Sequence, residues 1–182
     1  MGSLAQSAGI GKRIRLRNGS TVSLRPLVAG DEAAIADWFA GLGPETRYAR
    51  FLATVTRLDH RTQAELAQVD HHDHEAVVAV APDGTTIGIA RYMRSEESDT
   101  AEVAVAIADS WRRLGIATML LQDVATRARV AGIAHLTAVC MATNYTVIRL
   151  LSRLGPTTIS APDAGVVELR IELRSTDATR TS

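Results

Sequence analysis

Apolar residues along this chain change spacing several times, and each change marks an element. Val22 and Leu24 stand between polar neighbours, the period-two pattern of a half-buried strand near residues 20–25. Arg25-Pro26 ends regular pairing there, because proline has no N–H to give a ladder. Ala33-Ala34-Ile35-Ala36-Asp37-Trp38-Phe39 predicts a helix, with Asp31 placed to cap it. Gly41-Leu42-Gly43 breaks that helix. Pro44 suits the first position of a second helix carrying Arg47, Tyr48, Phe51 and Leu52. Residues 62–69 predict another short helix.

The middle of the chain is strand-like. Residues 74–81 contain Val77, Val78 and Val80, and Pro82-Asp83-Gly84 is a turn signal before a partner strand over 85–93. A polar turn over 95–99 leads to a further strand over 100–107. Residues 115–130 form the longest predicted helix, with Ile116, Met119, Leu120 and Val124 on one stripe and Gly132 as its stop. A strand over 136–141, a helix over 144–154 and a strand over 166–173 complete the order, with 156–160 as a candidate short strand. Hairpin spacing makes the strands at 74–107 an antiparallel meander. The long helix after them requires a parallel crossover. The expected class is α/β (α+β), a mixed and mostly antiparallel sheet of about six to seven strands with helices on both faces.

Composition narrows this picture. The 182 residues, 46% of them apolar, suit one domain with a real core, expected over 13–174 between polar tails at 1–12 and 175–182. No apolar run approaches the ~18 residues of a membrane span, and the first residues lack a signal-peptide stretch. Gly2 is not followed by a myristoylation pattern, since Gln6 stands where Ser or Thr is wanted. A cytoplasmic protein is expected. The formal net charge of zero gives no support for nucleic-acid binding. Cys140, the sole cysteine, excludes an intrachain disulfide and a thiolate metal cluster. Lys12 is the sole lysine, so it alone can record self-acylation at lysine.

The candidate chemistry sits at the junction Asp109-Ser110-Trp111-Arg112-Arg113-Leu114-Gly115-Ile116-Ala117-Thr118, between the strand over 100–107 and the long helix. In Arg112-x-x-Gly115-x-Ala117, small residues let a ligand approach the main chain. The helix start offers unpaired N–H groups to an anion, and a diphosphate is the natural guest. The bland alternative is a strand–turn–helix whose glycine serves packing. This loop, the strand before it, the helix after it and Asn144 resemble the acyl-CoA site of the GNAT superfamily of N-acyltransferases, over nearly the whole chain. A second resemblance is narrower. Glu45-Thr46-Arg47-Tyr48-x-Arg50-Phe51, Val69-Asp70-His71-His72-Asp73 and Ala101-Glu102-Val103-Ala104 are similar to segments of bacterial Pat-type protein lysine acetyltransferases.

The resemblance implies acetyl-CoA as donor and no metal. Arg112, Arg113, Leu114, Gly115, Ile116, Ala117 and Thr118 would cradle its diphosphate, Val105, Ala106 and Ile107 would pair with its pantetheine arm, and Asn144 would contact it. The pairing follows because the strands flanking the site splay in that family. Glu102 is the candidate general base, acting through water. Strand alternation puts it on one face with Ala104 and Ala106, which leave room for a substrate. A solvated strand-end glutamate is the alternative, and Glu96, Glu97 and Asp99 are rivals in the preceding turn. Many relatives carry a tyrosine as general acid where this chain has Leu151, so that role is unassigned.

Acceptor contacts are expected from Arg47, Tyr48, Arg50, Phe51, His71 and His72, although Tyr48 and Phe51 are equally packing candidates. His71-His72-Asp73-His74 is a poor metal chelator, because neighbours on a strand face opposite ways. Cys140, Trp38 and Trp111 read as packing residues. The expected partners are an acyl-CoA and an amine, with protein lysine ahead of small amines or a non-catalytic CoA sensor. No nucleic-acid or membrane partner is expected, and the chain is expected to be a monomer or a homodimer.

Overall fold

The computed structural model describes residues 11–52, 57–96 and 99–173. Eight strands form one sheet: β1 (Lys12–Arg15), β2 (Thr21–Pro26), β3 (His74–Val80), β4 (Thr86–Arg94), β5 (Thr100–Ile107), β6 (His135–Met141), β7 (Thr157–Ile159) and β8 (Val166–Glu172). Five helices join them: α1 (Glu32–Ala40), α2 (Pro44–Phe51), α3 (His60–Ala67), α4 (Ile116–Val130) and α5 (Tyr145–Leu151). The spatial order is β1-β2-β3-β4-β5-β6-β8-β7. Every neighbouring pair is antiparallel except β5–β6, which is parallel across the α4 connection.

The mixed sheet and the flanking helices agree with the expected class. The strand count exceeds expectation through β1, which starts at Lys12 within the stretch assigned to the tail. Its sequence Lys12-Arg13-Ile14-Arg15 has one apolar residue and no alternation to read. Only its register opposite β2, Lys12↔Leu24 through Arg15↔Thr21, makes it a strand. Three element ends also moved. α3 begins at His60, because Asp59 accepts the Thr62 N–H at 2.7 Å and caps it there. α2 stops at Phe51, since Leu52 adopts a left-handed φ of 50°. α5 ends at Leu151.

Asp31 does not cap α1 with its side chain. Its carboxylate receives both guanidinium nitrogens of Arg25, at 2.7 and 2.8 Å, and the Val28 N–H at 2.9 Å. A bidentate charged pair outcompetes a single helix-end N–H. Burial opposes ionisation of Asp31, yet the Arg25 and Val28 bonds and the Arg25 charge hold it below the usual carboxylate range.

The sheet separates two cores. On one face α4 and α5 bury Leu120, Leu121, Val124 and Leu151 against Val77, Ala90, Tyr92 and Val103. On the other, α1 and its neighbours bury Ile35, Trp38 and Phe39 against Ala76, Val78 and Ile89. Each fully buried Leu, Ile or Phe side chain contributes about 1.5–3 kcal/mol over its exposed state. Gly88 lets α4 approach closely, because a Cβ there would lie 2.6 Å from Ile107 and 3.2 Å from Leu120.

Candidate active site

The two halves of the sheet part company in its middle. β5 and β6 are paired only over Thr100↔His135, Ala101↔Leu136 and Glu102↔Thr137. Beyond Glu102, β5 continues along β4 as far as Gly88↔Ile107, and β6 continues along β8 as far as Met141↔Val166. The result is a wedge with Glu102 at its apex. Residues 103–107 have no partner strand on that side, and an open edge accepts an extended amide-bearing chain. Ala106 and Ile107 bury their side chains in opposite cores. What they present to a ligand is backbone.

The wedge leads into the Arg112–Thr118 loop. A short 3-10 turn, Asp109–Trp111, follows β5. Arg113 (φ 62°) and Gly115 (φ 89°) both take left-handed conformations, which curl the main chain into a concave turn. Met119 is the first α4 residue to donate back into the turn, to the Gly115 carbonyl at 3.2 Å. The Arg112 N–H donates to the Asp109 carbonyl at 3.3 Å, while those of residues 113–118 meet no backbone acceptor among the described residues, at the positive end of a 15-residue helix. Buried Ile116 anchors this turn in the core, while Gly115 is exposed. Ala117 and Thr118 are half-buried and Leu114 packs against the core.

Arg112 is already engaged. It pairs with Asp109 at 2.9 Å and donates to the Thr46 hydroxyl. Asp109 also accepts the Thr46 hydroxyl and, at 2.7 Å, the Gly43 N–H. The Thr46 bond first, then the Gly43 N–H and the Arg112 charge, hold Asp109 below the usual carboxylate range against partial burial. These contacts tie the start of α2 to the loop. On the other lip of the wedge, Asn144 caps α5, its Oδ1 accepting the Val147 N–H at 3.3 Å. Leu151 is buried in the α4–α5 core and faces no site.

Glu102 is exposed and shares its sheet face with Ala104 and Ala106. Directly opposite them on β4 stand Met93, Arg91 and Ile89. A narrow pocket opens on this face, its walls including Trp38, Arg50, Phe51, Leu66, Arg91 and Ala104. Burial pulls the Arg50 guanidinium below the ordinary arginine value, and the Glu102 charge pulls it back up. Burial and then the like charge of Arg50 bring Arg91 down to about 10, again opposed by Glu102. His74 meets the Arg91 guanidinium through Nε2. Burial, then the Arg91 charge, brings His74 down to about 4, so its ring is neutral at pH 7. A neutral ring facing a guanidinium accepts through Nε2, which leaves its proton on Nδ1.

Of the expected acceptor residues, Arg50 and Phe51 stand with Glu102. Arg47 lies over the Phe39 ring at 4.9 Å and donates to the Ala40 carbonyl at 2.8 Å, joining α2 to α1. Phe51 packs edge-on against Phe39, 5.5 Å between centroids, and Tyr48 is largely exposed. His71 turns to the α4 face, where its Nδ1 lies 3.0 Å from buried Glu75, itself paired with Arg127 at 3.1 Å. His72 is exposed beside Asp73. Neither is brought to Glu102.

Sequence reasoning missed Arg91 and reached His74 only as part of the His71–His74 segment. The signal for Arg91 was a charge inside an apolar strand, at a position whose register meets an alanine. Of the rival carboxylates, Asp99 faces His135 at 3.5 Å, Glu96 is exposed and Glu97 lies outside the described residues. Cys140 is buried, which pushes its thiol up. Among the described residues, no group of three or more His, Cys, Asp or Glu could hold a metal ion. No helix among them is long and apolar enough to cross a membrane.

A splayed parallel strand pair, an amide-lined helix start and a carboxylate at the apex define an acyl-CoA-dependent N-acetyltransferase. The chain belongs to the GNAT acetyltransferases, whose acetyltransferase (GNAT) domain matches residues 21–157. It is 32% identical over 143 residues to an acetyltransferase of Pseudomonas aeruginosa, covering 77% of each chain. It is 27% identical over 166 residues to acetyltransferase Pat of Mycolicibacterium smegmatis, covering 90% of this chain but only 49% of that one. It therefore spans about half the length of that relative. The crystal structure of the GNAT domain of S. lividans PAT superposes with a TM-score of 0.81 at 26% identity, over 93% of this chain and all of that one. At the level of fold, yncA from Salmonella typhimurium, solved with its cofactor acetyl-CoA, gives a TM-score of 0.69 at 20% identity, over 88% and 99%.

Proposed function

We propose that this protein transfers the acetyl group of acetyl-CoA to a primary amine, foremost a protein lysine, by direct attack in a ternary complex. The observation that carries the reading is the position of Glu102 at the apex of the β5–β6 wedge. An acyl arm running along the open β5 edge brings its thioester to that apex. The Arg113–Thr118 amides fit a diphosphate at the other end of the same path, and Val105 to Ile107 supply the paired backbone between. Asn144, on the opposite lip, keeps its side-chain NH₂ for the ligand while its oxygen caps α5.

The amine must attack in its neutral form. An ordinary lysine loses roughly 4–5 kcal/mol to protonation at pH 7. Glu102, through water, accepts the proton as the nitrogen bonds to the carbonyl carbon. The carbon–sulfur bond then breaks and the pair leaves on sulfur, which is protonated to CoA thiol. Proximity of the two bound substrates supplies much of the remaining acceleration. A lysine acceptor is supported by the similarity to the Pat relatives, and the setting proposed is the cytoplasm. A small amine is the second reading, favoured by the narrow walled pocket that lies along the same strand face as Glu102.

Thiol release from acetyl-CoA against a panel of amines and lysate proteins tests this directly. Glu102→Gln is expected to lower kcat by about 10²–10³ while acetyl-CoA binding by calorimetry is retained. Equal turnover in wild type and Glu102→Gln would remove the glutamate from the chemistry. Binding without transfer to any acceptor would favour a CoA sensor. Mass spectrometry at Lys12, the enzyme's only lysine, separates self-acylation from acylation of other chains.

A further inference from the structure

We infer that the cavity beside Glu102 selects acceptors that carry a carboxylate near the reacting amine, and that Arg50 and Arg91 hold that carboxylate. This rests on the acetyltransfer reading and names the class of acceptor for it. Arg50 comes from α2 and Arg91 from β4, and both line the same cavity. Neither makes an ion pair with a carboxylate among the described residues. Arg50 lies over the Phe51 ring, 4.8 Å from its centroid. The hydrogen-bonding partner of Arg91 is His74, which is neutral at pH 7 and adds no compensating charge. Glu102 is near enough to be felt by both guanidinium groups.

The local charge is thus two cations against one anion, in a pocket whose other walls are apolar and include Trp38, Phe51, Leu66 and Ala104. A part-buried guanidinium without an anion is costly, and a carboxylate matches its geometry bidentately. An acceptor that is only an ammonium ion meets net repulsion here. One that also carries a carboxylate satisfies the arginines and leaves its amine toward Glu102. The nearby cations also favour the neutral amine, the form that attacks. Trp38 is 6% exposed and lines this pocket as well as a second one, and its buried indole N–H has no acceptor among the described residues. His74 is a positioning residue, fixing the Arg91 fork without charge.

The test compares matched acceptors that differ only in the acid. γ-Aminobutyrate is set against n-butylamine, and a capped Glu-Lys dipeptide against capped Gln-Lys. The wild type is expected to favour the acid member by about tenfold in kcat/KM, mainly through KM, in at least one pair. The first pair identifies a free amino acid as the source of the carboxylate, and the second a peptide side chain. Arg91→Met and Arg50→Met should bring the ratio toward one, and Arg91→Lys should retain part of it. A wild-type ratio near one in both pairs overturns the inference, as does an unchanged ratio in both methionine variants, which marks a purely structural role. Turnover of butylamine without acid preference sinks this inference alone. If none of the four acceptors is acetylated, calorimetry with CoA present decides. N-acetyl-γ-aminobutyrate should then bind about tenfold tighter than N-butylacetamide, and Arg91→Met should lose the difference. Equal binding overturns the inference, and the absence of any acetyl-CoA binding overturns the acetyltransfer reading beneath it.

Discussion

Single residues in this protein are tuned by what stands opposite them rather than by what precedes them. His74 is the sharpest case. Its neighbours in sequence are polar, yet burial and the Arg91 charge bring it from 6.5 to about 4, with Asp70 and Glu75 opposing. The unfolded chain therefore binds a proton that the folded chain refuses. Stability from this residue is complete above pH 6.5 and is lost as pH falls toward 4, by about 3 kcal/mol as an upper value. Urea unfolding at pH 7 and pH 4 should show wild type losing more than His74→Gln across that window. Equal losses would mean that His74 titrates normally. Glu102 is exposed and stands at the apex of the β5–β6 wedge.

At the scale of elements, the loop between β5 and α4 depends on two left-handed residues in close succession. Gly115, at φ 89°, has open space where a Cβ would stand. The obstacle to Gly115→Ala is thus backbone strain, about 1–2 kcal/mol, and not a clash. A flattened turn would misdirect the amides at the start of α4. The KM for acetyl-CoA is expected to rise roughly tenfold, equivalent to about 1.4 kcal/mol, with a smaller effect on kcat. An unchanged KM in steady-state assays would take the backbone of this turn out of the binding account. The wedge is likewise a property of elements, because β4 and β8 each pull one strand away beyond Glu102.

At the scale of the whole molecule, the sheet order sets what can reach what. Lys12 lies on β1 and Glu102 on β5, four strands apart, or about 19 Å at ordinary strand spacing. Acetylation of Lys12 therefore needs a second copy, and its rate should rise with the square of protein concentration. The far half of the sheet is closed through Gly155. A Cβ there would stand 2.0 Å from the Glu172 carbonyl oxygen at the end of β8. Gly155→Ala is expected to cost about 3 kcal/mol, since backbone cannot yield as a side-chain tip can. Thermal unfolding of that variant within a degree of wild type would show that the β7–β8 edge relaxes freely.

The sequence alone determined most of the elements and marked the Arg112–Thr118 loop as the candidate donor site, because both readings rest on local spacing. Alternation marked β2, a valine-rich run and turn signals marked β3 to β5, the 3.6-residue stripe marked α4, and Arg112-x-x-Gly115-x-Ala117 marked a helix start open to an anion. It missed β1, whose Lys12-Arg13-Ile14-Arg15 carries no alternation, and misplaced the Asp31 carboxylate, whose partner Arg25 wins by charge. The grouping of side chains around the proposed acceptor pocket came only from tertiary structure. Arg50, His74, Arg91 and Glu102 come from four separate elements, and register places Arg91 opposite Ala104 while His71 turns to the other face. Such a cavity depends on contacts between distant segments, and no local pattern in the chain encodes them.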